Sequence, residues 1–229
     1  MSFQSLGLSK LFVNLLATNN ITKPTPIQAK AIPTILEGKD VLGIAKTGSG
    51  KTASFALPIL ANLEKSKGLK NRHVNVLVLV PTRELAVQVQ EVFYTYGEAA
   101  KVRIKSLAVY GGVAINPQMQ RLQNVNVLIA TPGRLLELVE KNATSLASVE
   151  TLVLDEADKM LNLGFKEEMD KIFGLLPKKR QNLLFSATLS EDVAAIESIL
   201  LDNPLVIKIK EEEKQEVDLI KQLAYYCKE

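Results

Sequence analysis

The sequence predicts an α/β fold, a mainly parallel central sheet with helices on both faces. Three observations carry that prediction. Short β-branched apolar runs recur along the chain, and amphipathic segments of helical period lie between most of them. The glycine-rich and acidic clusters each stand directly after one of those runs. In such a sheet ligands collect where strands end and loops begin, so these junctions are the candidate sites.

The runs are Val41–Ala45, Val74–Val80, Ile104–Tyr110, Val125–Ala130, Thr151–Leu154, Asn182–Phe185 and Leu205–Ile209, each read as a buried strand. The helical segments are Thr52–Leu63, Glu84–Ala100, Arg134–Lys141 and Glu191–Leu201. Residues 1–209 are expected to form one domain. The polar run Lys210-Glu211-Glu212-Glu213-Lys214-Gln215-Glu216 places a linker over 210–218, and the apolar pattern from Leu219 makes 219–229 the start of a second, truncated unit.

A chain of 229 residues, 47% hydrophobic and 23% charged, can bury a full core. Its formal charge of +3 is too small for the whole-molecule field to announce a polyanion, so any nucleic-acid site is local. The single cysteine, Cys227, excludes an internal disulfide and is read as a packing residue. The opening Met1–Gly7 has no charged leader pattern, and no apolar stretch approaches the ~20 residues of a membrane helix. A cytoplasmic location with no membrane partner is expected.

After the first strand comes Ala45-Lys46-Thr47-Gly48-Ser49-Gly50-Lys51-Thr52, then a helix. This is the phosphate-loop pattern G-x-x-x-x-G-K-[ST] with Ala45 in the first glycine position. Glycines let backbone amides turn toward one point and the helix adds its positive end. Lys51 then reaches the β- and γ-phosphates and Thr52 ligates magnesium. A glycine-rich helix cap is the bland alternative, but strand, loop, Lys-Thr and helix in order outweigh it.

Asp155-Glu156-Ala157-Asp158 ends the fifth run. Two carboxylates at the carboxyl end of a buried strand suit a metal ligand, Asp155, and a water-positioning base, Glu156. Alone, an acidic tetrapeptide is more often a solvated helix start; its partnership with Lys51 reverses that.

With both sites placed, the sequence resembles the DEAD-box RNA helicases, whose name is spelled by residues 155–158. The likeness extends from Phe3 to about Val206, through Pro81-Thr82-Arg83-Glu84-Leu85-Ala86, Gly111-Gly112, Thr131-Pro132-Gly133-Arg134 and Ser186-Ala187-Thr188. The opening Ser2–Ser9 is most similar to the bacterial RhlE-type subgroup. The resemblance implies a RecA-like domain, ATP and magnesium as cofactors, RNA as partner, and catalytic roles for Lys51, Asp155, Glu156, Ser186 and Thr188. It implies a Q motif within 1–28, with Phe3, Ile21, Lys23, Thr25 and Gln28 joining Ala45–Thr52 in the ATP site and Gln28 reading the adenine edge; Phe3 can equally be a core residue. Thr25, Pro26 and Gln28 also spell a helix start with a capping box, and both readings can hold.

One departure matters: the family's usual glycine and aromatic are here Asn20-Ile21, which implies weaker nucleotide binding because Ile21 packs on adenine where an aromatic would stack. Lys46 and Asn162 also depart, without a derivable consequence.

Pro81, Thr82, Arg83, Gly111, Gly112, Thr131, Pro132, Gly133 and Arg134 are the implied RNA-binding set. Amides, hydroxyls and arginines at helix starts suit backbone phosphates, so binding should be sequence-tolerant and salt-dependent. Each arginine can equally be a surface ion pair and each threonine an N-cap. Phe93, Tyr94 and Tyr96 are read as packing residues and His73 as inert. The family's arginine fingers, in a motif of the type His-Arg-x-Gly-Arg, belong to a second domain and do not occur in this sequence. Such a finger is worth ~10³ or more in rate, so these residues alone should bind nucleotide and turn it over very slowly. An ATP-dependent RNA clamp is the alternative to an unwinding motor; a small-molecule kinase is disfavoured by the paired Thr/Arg sites.

Overall fold

The computed structural model describes residues 2–64, 73–99 and 104–209. The proposed linker, the start of a second unit and Cys227 lie outside them.

Among the described residues seven strands form one sheet: β1 (Val41–Ile44), β2 (Val76–Leu79), β3 (Ser106–Val109), β4 (Val127–Ala130), β5 (Thr151–Leu154), β6 (Gln181–Ser186) and β7 (Leu205–Lys208). Their order is β3-β4-β2-β5-β6-β1-β7 and every pairing is parallel. All seven apolar runs become strands, six of them trimmed or extended by one or two residues and Thr151–Leu154 unchanged. The inner runs read as continuous because a parallel strand covered on both faces is buried; edge strand β7 departs from the expected buried strand, since only Ile207 in it is buried.

Alternate residues then feed two separate cores. On one face Val76, Val78, Val127, Ile129, Val153 and Phe185 pack under α1 (Lys10–Thr18), α2 (Pro26–Leu36), α3 (Lys51–Leu63) and α4 (Arg83–Ala99). On the other, Leu77, Leu79, Leu128, Leu152, Leu154 and Leu184 pack under α6 (Pro132–Glu140), α7 (Ala157–Asn162), α8 (Lys166–Leu175) and α9 (Glu191–Leu200), with Met119 of α5 (Asn116–Arg121) at the margin. Helices α1, α5, α7 and α8 were not foreseen; two of them are single turns or little more, too short to display a period.

Packing is close where Gly43 meets Phe185: a Cβ there would lie 2.6 Å from the ring. The Phe185 ring in turn sits 5.3 Å from that of Phe55 on α3. This holds α3, and with it the loop at its start, against β1 and β6. Of the three aromatics on α4, Phe93 is core and Tyr96 half-buried, its hydroxyl pKa raised by burial. Tyr94 is 62% exposed and packs against nothing in the core, because neighbours on a helix point about 100° apart. His73 meets Ser148, Nδ1 to Oγ 2.7 Å, beside a short bridge to Ser145.

Candidate active site

Strand β1 ends at Ile44, and the loop 45–50 delivers the chain to α3 with Gly50 as N-cap. Gly48 and Gly50 have φ of 83° and 90°, the left-handed region glycine enters without strain. A Cβ on Gly50 would also fall 2.6 Å from Gln28 Nε2. Lys51 is buried, its Nζ donating to Ala45 O at 2.7 Å, so the ammonium lies folded over its own loop. Lys46, Thr47 and Gly48 are exposed and Thr52 is half-buried. Ser49 Oγ is buried without a hydrogen-bond partner.

The segment before the loop braces it. Thr25 stands at the N-cap of α2 and Pro26 opens the helix. Gln28 Oε1 accepts from the Thr25 N–H at 3.0 Å while its Nε2 donates to Gly50 O at 3.2 Å. The capping role therefore holds, and the second amide group is engaged on the phosphate loop. Ile21 is half-buried against the core and Lys23 is exposed. Phe3 is 2% exposed within the core. It belongs to the same apolar cluster as Leu6 and Phe12, so the packing alternative for this position describes the ring as it stands.

Strand β5 ends at Leu154, so Asp155 and Glu156 emerge at the same edge as the loop. Burial pushes the Asp155 carboxyl up to about 6 from an ordinary 3.8, and the positive charge of Lys51 is the chief force pulling it back. Asp155 Oδ1 is buried with no hydrogen-bond partner, a costly state that a hard cation relieves. Glu156 sits at φ 55°, ψ 49°, a strained left-handed conformation for a non-glycine residue. Its Oε1 accepts from Thr47 Oγ1 at 3.4 Å and its Oε2 pairs with Lys159 Nζ at 2.9 Å. That pairing holds the Lys159 ammonium above its usual pKa.

Three features were missed in the sequence. The first is the Lys159 pair. The second is Asp158, whose Oδ2 accepts from Thr188 N (3.2 Å) and Thr188 Oγ1 (3.1 Å), joining the loop after β6 to α7. Ser186 is fully buried and its Oγ accepts weakly from Thr188 N at 3.4 Å. Gln118 is the third: it holds both Tyr110 N and Tyr110 O through its amide.

The sheet order explains the convergence. Strands β1 and β5 flank β6, so the strand ends that deliver the phosphate loop and the carboxylates are two strand spacings apart, about 10 Å, with Ser186–Thr188 between them. The remaining motifs occupy the other half of the same edge, after β2, β3 and β4. Thr82 caps α4, accepting from Leu85 N at 3.2 Å. Arg83 is exposed and lies 4.9 Å over the Tyr110 ring. Gly111 and Gly112 are exposed, and Gly111 N donates to the buried Thr131 Oγ1 at 3.4 Å. Pro81 and Pro132 are buried and Gly133 half-buried.

Arg134 is the exception. It is 7% exposed, with Nη2 donating to Val113 O at 2.8 Å and Nε to Glu137 at 3.0 Å. Its guanidinium clamps the Gly111–Val113 loop onto α6 in the ion-pair arrangement that was the alternative to a phosphate contact, with Nη1 buried and unpartnered. Among the described residues no group of three or more His, Cys, Asp and Glu side chains is placed to hold a metal. A magnesium ion at Thr52 and Asp155 would arrive with phosphate oxygens completing its shell.

Comparison with known proteins now decides the family. A profile described as DEAD/DEAH box helicase matches residues 25–196. This chain belongs to that family.

The DEAD-box chain is 41% identical over 229 residues to the ATP-dependent RNA helicase CshA of Limosilactobacillus reuteri, covering all of this chain and 44% of that protein. It is 42% identical over 213 residues to the CshA of Geobacillus kaustophilus, 93% of this chain and 44% of that one. It is 43% identical over 210 residues to the ATP-dependent RNA helicase DeaD of Buchnera aphidicola from Schizaphis graminum, 91% of this chain and 34% of that one. The crystal structure of a DEAD box protein from Methanococcus jannaschii superposes with a TM-score of 0.84 at 36% identity, covering 92% of this chain and 56% of that chain. The chain thus spans less than half the length of these curated relatives. Their names do not speak for an RhlE-type placement of the opening residues. No helix among the described residues is long and apolar enough to cross a membrane.

Proposed function

We propose that this DEAD-box chain is the ATP-binding half of an ATP-dependent RNA helicase. It takes Mg-ATP at the loop 45–52 and, together with a second RecA-like domain supplying arginine fingers, hydrolyses it to ADP and phosphate while remodelling RNA duplexes. One observation carries this reading: Lys51, Asp155 and Glu156 meet at a single sheet edge although a hundred residues separate the lysine from the carboxylates.

In that role Lys51 leaves Ala45 O to neutralise the β- and γ-phosphates, and Thr52 and Asp155 hold magnesium. Magnesium supplies positive charge where negative charge develops on the phosphoryl oxygens. Glu156, kept in place by its strained backbone and by Lys159, orients the attacking water. Ser186 and Thr188, the latter tied to Asp158, connect the nucleotide edge to the neighbouring RNA edge. There Arg83 and the Gly111-Gly112 amides are the exposed phosphate contacts, and Thr131 and Arg134 shape the loop that presents them. Contacts of this kind read no bases.

The test is binding of a fluorescent ATP analogue to the purified chain with and without magnesium. Lys51→Ala should abolish binding, Asp155→Asn should remove its magnesium dependence, and Glu156→Gln should leave affinity near that of the parent. Equal affinity across all three variants, or tight binding that ignores magnesium, would overturn the reading.

A further inference from the structure

The end of the domain opposite the nucleotide edge carries a cleft of about 710 Å³ lined by residues entering β6, β1 and β7, among them Asp40, Lys178, Lys179, Arg180, Asn182 and Ile199. That volume falls in the range of ligand-binding sites. From it we propose that this cleft docks an acidic peptide segment of a partner protein, carboxylates on Lys178 and Lys179 and an apolar side chain on Ile199. The proposal is independent of the nucleotide chemistry.

Charge is the first reason. Pro177-Lys178-Lys179-Arg180 joins α8 to β6 and puts three consecutive cations on the cleft. Asp40, a buried acid of the lining, keeps its charge and draws on Arg180, partly offsetting the fall in that guanidinium's pKa caused by burial, which leaves Lys178 and Lys179 as the cations for a ligand. Its Oδ1 accepts from Asn182 N at 2.8 Å, and its Oδ2 from Asn182 Nδ2 at 3.3 Å and Asp202 N at 2.9 Å. Lys178 and Lys179 are exposed and have no ion-pair partner among the described residues, while Lys39 is already paired with Glu37 at 2.7 Å.

Unused polar capacity in the floor is the second reason. Asn182 is 7% exposed. Its Nδ2 is committed to Asp40 and to Leu200 O (2.8 Å), which fixes the amide orientation and leaves Oδ1 without a partner. Arg180 has Nη1 on Pro177 O at 2.6 Å and a buried Nε with no partner. A peptide backbone, carrying both donors and acceptors, can complement such a floor.

The third reason selects peptide over nucleic acid. Ile199 stands 70% exposed on the rim. A uniform polyanion gains nothing from it, whereas an acidic segment with one apolar residue uses the cations and the isoleucine together.

The test uses the whole chain and fluorescence anisotropy of a labelled peptide of glutamates flanking a central leucine. Binding should be saturable and weaken with salt. It should fall about tenfold or more in K178E/K179E, roughly 1.4 kcal/mol or more, and several-fold in I199S. Binding of the ATP analogue should be unchanged in both, showing that the variants fold. Undiminished peptide binding by K178E/K179E, indifference to I199S, or displacement by short single-stranded RNA would each overturn the proposal. So would a gain in peptide affinity when Glu211, Glu212 and Glu213 are changed to Gln, since that result assigns the cleft to this chain's own acidic run.

Discussion

Gln28 offers the sharpest test because two readings of it make different predictions. Its side chain closes one bond to Thr25 N and one to Gly50 O, and the residue is buried. Each such bond contributes about 1 kcal/mol net, more where truncation leaves a buried group unpaired, so Gln28→Ala should destabilise the nucleotide-free domain by roughly 2 kcal/mol. With a urea dependence of about 2 kcal/mol per molar, the unfolding midpoint should fall by about 1 M. Circular dichroism is the suitable probe, since the chain has no tryptophan. Gln28→Glu is the discriminating control. It keeps the acceptor for Thr25 N but sets a carboxylate oxygen against Gly50 O, so at pH 8 it should be no milder than the alanine change. An unchanged midpoint in either variant would refute the bracing role. Adenine selectivity lost at full stability would then leave nucleotide recognition as the residue's whole contribution.

Three further outcomes are expected. Asp155 has its pKa raised to about 6 by burial, so its contribution to stability is greatest below pH 4, where both states are protonated. That contribution is lost as pH rises through about 6, by a span of order 3 kcal/mol. Asp155→Asn in magnesium-free buffer should therefore unfold at higher urea than the parent at pH 8, with the gain shrinking toward pH 5; equal midpoints at both pH values would contradict it. Ile21→Phe should tighten binding of the ATP analogue by a few-fold, the worth of one stacking contact at about 0.5–1.5 kcal/mol, and no change in titration would sink the idea. Arg134→Lys should not rescue Arg134→Ala: both lose the forked contact to Val113 O and Glu137. Both should lower the urea midpoint, and a lysine variant of parental stability would show the fork to be dispensable.

Most of the architecture was legible because local signals agreed. Strands buried on both faces announce themselves as apolar runs, and the junction residues after Ile44 and Leu154 carry their chemistry in a few consecutive letters. Helices α5 and α7 were illegible since six residues give no period to detect. Lys159 and Asp158 were overlooked beside the two carboxylates because their partners, Glu156 and Thr188, are set by how α7 turns and where β6 ends. Phe3 and Arg134 each left two readings open for the same reason. A letter in a motif says which atoms are available, and only packing says whether they are already spent.

What the sequence by itself determined, then, was the alternation of strands and helices, the family, and the residues able to handle phosphate. Strand order was a tertiary matter. Placing β6 between β1 and β5 is settled by which crossovers cover both apolar faces at once, a property of the whole chain. That placement brings the ammonium of Lys51 within electrostatic reach of Asp155 and Thr47 within reach of Glu156. The same placement turns the amino-terminal ends of β6, β1 and β7 into a basic cleft at the opposite pole.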